Sequence, residues 1–242
     1  MVEKITQAET RKPPKTIEQW KTDPRLFQEI ATRAIRNLND GLIELIWNSY
    51  DAYRFRAKEK SPIVHIVYQR YFWTFSIDVR DEASGATRDD LAQALTMGAE
   101  SPERLDDERV RSFFGLGLKQ TLLALADMDR NCSVVTIKDG LRHQTQIFRQ
   151  GVAWEEPTRV GDVNRTLFSV KFYLKKDRVK EVPKNHKSLA DILAKDFRLK
   201  FILPTADGSH KKYIHPVLTI LVHPSVSALE KYLSDGTHKD TV

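Results

Sequence analysis

Residues 41–53 read GLIELIWNSYDAY, and the placement of this stretch decides both the fold class and the chemistry of the chain. Wound as an α-helix at ~100° per residue, Glu44, Asn48 and Asp51 fall within about 60° of one another. Leu42, Ile43, Leu45, Ile46, Trp47, Tyr50, Ala52 and Tyr53 fill most of the remaining arc, so the helix is apolar nearly all round with one thin polar seam. A solvated helix face is normally wider and carries Lys or Arg partners; this seam has none. A carboxylate on a largely buried helix calls for a cation, a water or a ligand. Carboxylate and amide oxygens together suit Mg²⁺, with waters completing its shell. The competing reading is an ordinary amphipathic helix.

On either side of this helix the sequence alternates between helical and strand patterns. A helical pattern over 26–38 precedes it, and the central helix itself is expected over 40–58, capped by Asn39 or Asp40. Strands are expected over 63–68 and 72–79, joined as an antiparallel hairpin. A helix over 87–97 carries a capping box at Thr87 and Asp90. The polar stretch 98–111 has no period and reads as a mobile loop. After it come a helix over 116–126, strands over 133–138 and 141–149 joined at Asp139-Gly140, and a strand over 165–174. A short helix over 188–197 and apolar runs at 199–203 and 217–222 complete the chain. Helices inserted between mostly antiparallel strands define an α+β fold, a two-layer sandwich of one sheet and one helical layer. The domain reading is an N-terminal arm over 1–24, a principal domain over 25–175, and a basic extension over 176–242 that completes this domain or begins a second.

Two further motifs carry chemistry. In FSIDVRDEASG (75–85), Phe75, Ile77 and Val79 alternate on one strand face and Asp81 continues their register, so an inward carboxylate there asks for a hydrogen-bond donor. Gly85 opens the backbone to close approach or positive φ. In SFFGLGLKQTLLALA (112–126), Gly115 and Gly117 open a helix whose free N–H groups and positive dipole end can cradle phosphate, and Lys119 adds a charge beside it. Each motif alone also fits a plain turn.

Composition bounds the answer. The 242 residues are 40% hydrophobic and 30% charged, which fits a soluble globular chain. No apolar run reaches the ~20 residues of a membrane helix, so no membrane partner is expected. The first fifteen residues carry no apolar signal region, and the lone Cys132 excludes an internal disulfide framework; a reducing, cytoplasmic setting is the expectation. The net charge of +6 is uneven: residues 171–212 hold twelve Lys/Arg against five Asp/Glu, leaving −1 for the rest. That stretch is either a nucleic-acid or protein contact surface or a solvated face. His143, His186, His210 and His215 have no zinc-site spacing.

Taken in order, Glu-x-x-x-Asn-x-x-Asp on a helix, Asp-x-x-x-Gly after a strand, a loop, then Phe-Gly-x-Gly opening a helix resembles the GHKL ATPases, with their Bergerat nucleotide-binding fold. These include gyrase B, the ninety-kilodalton heat-shock chaperones, histidine kinases, MutL and MORC proteins. The likeness covers roughly residues 26–172, and FFGLGLK looks most like MORC-type and related prokaryotic members. It implies ATP and Mg²⁺ as cofactors. Glu44 matches the general base, Asn48 the Mg²⁺ ligand, Asp51 a pocket residue, Asp81 the acceptor of the adenine amino group and Gly85 its backbone neighbour. Gly115, Leu116, Gly117, Leu118 and Lys119 match the phosphate loop, Thr166 the strand threonine near adenine, and 98–114 the lid. Two positions depart from the family pattern: Ala83 and Ser112 stand where glycines are usual.

The resemblance implies an ATPase whose cycle closes the lid and drives homodimerisation or remodelling of a partner. A histidine kinase reading fares worse, because residues 1–60 contain no histidine for a preceding phospho-acceptor helix. The other reading is a nucleotide-gated DNA- or protein-binding module with little or no turnover.

Overall fold

The computed structural model describes residues 18–19, 24–95, 117–203 and 217–235. The lid expected over 98–114 and nearly all of the 1–24 arm lie outside the described residues. Helix α1 (Pro24–Ala34) leads into α2 (Leu38–Arg56), which holds the 41–53 stretch. The N-cap of α2 is Asn37, not Asn39 or Asp40: its side-chain oxygen accepts the Asp40 N–H at 2.9 Å. The Asp40 carboxylate instead accepts the N–H and guanidinium of Arg36, both at 3.2 Å, so Asn37 and Asp40 each take up one backbone N–H at the helix start. The cap therefore falls earlier than the composition suggested, with Leu38 buried as the first helical residue.

Strand β1 (Glu18–Gln19) lies at the sheet edge, and β2 (Ile63–Arg70) and β3 (Phe75–Asp81) form the expected antiparallel hairpin. Residues 72–74, expected in the second strand, belong to the turn, where the Tyr71 N–H donates to the Thr74 carbonyl at 2.8 Å. Helix α3 (Arg88–Leu95) has the anticipated capping box: the Thr87 N–H donates to Asp90 Oδ2 at 2.9 Å, and the Asp90 N–H to Thr87 Oγ1 at 3.1 Å. Helix α4 (Gly117–Leu125) follows, then β4 (Ser133–Lys138) and β5 (Leu141–Phe148). Asp139 and Gly140, with φ of 52° and 73°, make the two-residue turn between them.

Strands β6 (Gly151–Trp154), β7 (Thr158–Arg159) and β8 (Leu167–Tyr173) complete the central region. The four-residue β6 was not visible as a pattern and exists through its pairing with β5. A 3₁₀ turn (Lys176–Glu181), helix α5 (His186–Lys195), strand β9 (Thr219–His223) and helix α6 (Val226–Asp235) follow. The sheet order is β1-β6-β5-β4-β8-β3-β2-β9, antiparallel throughout except for β2 with β9, and β7 pairs with β5. The mostly antiparallel sheet with a helical layer is the fold class expected. No helix among the described residues is long and apolar enough to cross a membrane.

One face of the sheet, through Val64, Ile66, Ile77, Val79, Val170 and Phe172, packs on Leu42, Ile46 and Tyr50 of α2 and Leu122 and Leu125 of α4. Fully burying a side chain of this size contributes roughly 1.5–3 kcal/mol. Leu189, Leu193, Ile202, Ile220 and Val222 from the later part of the chain join the same cluster. Arg198 ties that part to α2, donating to Asp40 Oδ1 at 2.7 Å and Asp196 Oδ2 at 2.8 Å. Burial alone would raise the Asp40 pKa, but hydrogen bonds from Arg198 and Arg36 outweigh it and hold the carboxyl below its usual value. On the opposite face, α6 covers the β2–β9 edge. There the ring of Tyr232 lies 5.3 Å from His65, and His65 Nδ1 lies 3.1 Å from His223 Nε2. The two-layer expectation is thus extended locally by a helix on the second face.

Candidate functional site

Helix α2 approaches α4 closely because Gly41 lies at their contact. A Cβ on Gly41 would lie 2.5 Å from Leu125 Cδ1 and 2.9 Å from Thr121 Cγ2. The two helices run antiparallel from this contact, which sets the first residue of α4 beside the polar seam of α2. A Cβ on Gly117 would fall 2.9 Å from Glu44 Oε2 and 3.7 Å from Asn48 Nδ2. Glu44 is exposed and Asn48 and Asp51 are half-buried, so the polar seam runs along the outward side of an otherwise buried helix, beside the α4 N-terminus. A phosphate there would meet N–H groups of an opening helix turn.

The second half of the site lies at the end of β3. Asp81 is 2% exposed and accepts the Ser49 hydroxyl at 2.7 Å and the Ala83 N–H at 3.1 Å. Burial pushes its pKa up to about 6, against the hydrogen bonds that favour the ionised form. Ala83, in place of the family glycine, keeps its N–H on the aspartate. Gly85 has φ +61°, and a Cβ there would meet the Ile137 carbonyl oxygen at 2.1 Å, so the position accepts glycine for conformation and for space. Thr136 holds the next residue, accepting the Ala86 N–H at 2.7 Å.

Thr166 lies one residue before β8, not inside the strand, and its hydroxyl sits 2.8 and 3.0 Å from the carbonyls of Glu82 and Ala83. The Lys60 ammonium donates to the same carbonyls, at 2.7 and 2.8 Å, and to Thr166 Oγ1 at 2.6 Å. The Tyr53 hydroxyl donates to the Ile63 carbonyl at 2.9 Å and accepts the Glu82 N–H at 3.1 Å. Three side chains thus pin the loop that carries Ala83 and Gly85.

The arrangement draws Glu44, Asn48, Gly117 and Asp81 around less than two turns of α2, with Ser49 as the link that the sequence reading missed. At ~100° per residue Ser49 lies about 140° from Glu44, on the apolar arc facing the sheet. A small polar residue in that arc was the available signal. Leu118 is a core side chain, leaving its backbone alone for any ligand. Lys119, expected beside the phosphate loop, is 2% exposed, and burial lowers its pKa to about 8. Gly115, Leu116 and Ser112 lie outside the described residues.

Among the described residues no group of three or more His, Cys, Asp or Glu could hold a metal. One amide and one carboxylate beside a glycine cradle nevertheless fit Mg²⁺, which takes few protein ligands and completes its shell with water and phosphate oxygens.

The family model described as histidine kinase-, DNA gyrase B-, and HSP90-like ATPase matches residues 36–169. Among solved structures, 396 chains match. One of them, the N-terminal domain of a DNA repair protein, is 18% identical with a TM-score of 0.48, covering 83% of this chain and 53% of its own. The present chain spans about half the length of that structure. No curated protein matches.

Proposed function

Because the chain belongs to the histidine kinase-, DNA gyrase B- and HSP90-like ATPase family, whose members in general bind and hydrolyse ATP, we propose that it is a Mg²⁺-dependent ATP-binding and ATP-hydrolysing domain. Asp81 accepts the amino group of the base, with Thr166, Lys60 and Gly85 shaping the loop beside it. The N-terminus of α4 at Gly117 faces the phosphates. Asn48 holds the metal, and Asp51 lines the same side of α2. When bound, Mg²⁺ supplies charge neutralisation at the phosphates. Glu44 orients the attacking water and takes its proton. The observation that carries this reading is the bare α-carbon of Gly117 set against Glu44 and Asn48, where a Cβ would come within 2.9 Å of the carboxylate. FFGLGLK supports a place near MORC-type members, and association with a second copy on nucleotide binding follows from that resemblance.

Phosphate release and ATP calorimetry test the assignment together. Glu44→Ala is expected to keep ATP affinity while turnover falls by about 10²-fold or more, the usual contribution of a general base. Asn48→Ala and Asp81→Ala are expected to lose binding. Equal turnover of Glu44→Ala and wild type removes Glu44 as the base. ATP binding without turnover in the wild type replaces the enzyme with a nucleotide-gated binding module.

A further inference from the structure

The β2–β3 turn reads Tyr71-Phe72-Trp73-Thr74, where such turns ordinarily use Gly, Asn or Asp. Phe72 is 79% and Trp73 72% exposed, and their rings meet edge to face with centroids 4.4 Å apart. The turn beneath them is firmly held. The Tyr71 N–H donates to the Thr74 carbonyl at 2.8 Å, and the Thr74 hydroxyl to the Leu174 carbonyl at 2.9 Å. The two rings are thus displayed by a braced turn and contribute little to its folding, although exposing that much aromatic surface to water is unfavourable.

The planar groups do not stop at the tip. The Tyr71 ring lies 5.7 Å from that of Tyr173 on β8, and the Arg130 guanidinium lies 5.6 Å from the Tyr173 centroid. Arg130 in the loop before β4, Arg149 after β5 and Lys176 after β8 are the cations at this end of the sheet; the Lys175 ammonium is turned onto the Leu123 and Ala124 carbonyls, and the Arg70 guanidinium lies over the Phe75 ring. Asp127 pairs with Arg130 at 3.3 Å, and Asp129 and Asp177 stand in the same connections. The same end of the sheet is where the +7 stretch beginning at Lys171 leaves β8. The sequence separates that charge from any aromatic pattern; the β3–β8 pairing brings the two together.

We propose that the 71–73 tip, with Tyr173 and Arg130, is a docking track for single-stranded nucleic acid, at the end of the sheet away from Asp81. Bases stack on the displayed rings and phosphates meet the flanking cations, the combination that sequence-tolerant single-strand binding uses. A membrane-inserting tip would gather its apolar groups in one spike. Here the rings continue from the tip along the flank to a guanidinium, which suits successive bases of a strand. The proposal is independent of the nucleotide reading.

Fluorescence anisotropy with a labelled 20-residue oligothymidylate and the full chain tests it. Wild type is expected to bind at about 50 mM salt and weaken as salt rises, and Arg130→Ala to flatten the log–log salt slope by about 0.7. Phe72→Ala/Trp73→Ala is expected to weaken binding about tenfold or more, with an unchanged melting curve and unchanged ATP affinity showing that the fold is intact. Three results overturn the proposal: no binding at low salt, a double variant that binds like wild type, or a Trp73 emission shift on phosphatidylserine-containing vesicles with no response to the oligonucleotide.

Discussion

Asp81 is held in surroundings that favour its protonated form. Its folded pKa of about 6 stands above the ordinary 3.8, so the penalty on the ionised carboxylate is fully present above pH 6. That penalty is relieved as the pH falls from 6 towards 4, and this group alone makes the fold more stable at pH 5 than at pH 8. Base recognition runs the other way, because a carboxylate accepts an amino group better when ionised. Affinity for adenosine, which carries no titrating phosphate, is therefore expected to drop as the pH passes below about 6. Ser49→Ala removes the hydroxyl donor at 2.7 Å and should move that break upward, by a calorimetric series from pH 5 to 8. A pH-independent affinity contradicts the assignment. Gly85 is the other position decided by single atoms. Gly85→Ala places a methyl 2.1 Å from a backbone oxygen, where no side chain can yield, at a φ that itself costs L-residues about 1–2 kcal/mol. A loss of about 3 kcal/mol or more in denaturant unfolding is expected; a loss under about 1 kcal/mol means the loop relaxes freely.

Helix α2 works on two sides: its seam faces the α4 N-terminus, and Ser49 on its apolar arc faces β3. The distance between α2 and α4 therefore sets the distance between Glu44 and the candidate phosphate end. Gly41→Ala improves helix propensity by up to about 1 kcal/mol but puts a methyl 2.5 Å from Leu125 Cδ1. Overpacking of this kind costs about 1–3 kcal/mol, so net destabilisation is expected in urea melts, with reduced ATP turnover as α4 is pushed away. Net stabilisation would show that the seam has slack. Elements with local signals were readable: the α2 period, the Thr87/Asp90 box and the Asp139-Gly140 turn all act within a few residues. The Asn37 cap was missed because Asn39 and Asp40 offer the same chemistry two and three positions on. Helix α6 carries Val226, Leu229 and Leu233 at helical spacing, yet only Leu229 is fully buried, against the β2–β9 edge, and Leu233 stays exposed.

The later part of the chain belongs to the same sheet and the same apolar cluster as the earlier part. Strand β9 pairs along five positions of β2, and Leu189, Leu193 and Ile220 bury themselves with α2 and α4. We propose that residues from 176 onward complete the nucleotide-binding unit. A chain ended after Lys175 is expected to lose cooperative thermal unfolding by circular dichroism, because the β2 edge and the core face beside it would open to water. A sharp transition near the wild-type temperature would instead mark a second, separable unit.

Helix period, strand alternation and glycine punctuation carry their information within a few residues. The sequence was therefore sufficient for the fold class, for the seam of Glu44, Asn48 and Asp51, and for the inward placing of Asp81. Contacts between distant segments left no such trace. Ser49 meets a partner 32 positions away, and Lys60 and Thr166 are 106 apart, so the donors around Asp81 and the bracing of its loop emerge when the strands pair. Lys119 follows the same logic, because helix packing governs whether a lysine at a helix start faces water or is enclosed. The aromatic tip beside the basic stretch also depends on β3 lying next to β8.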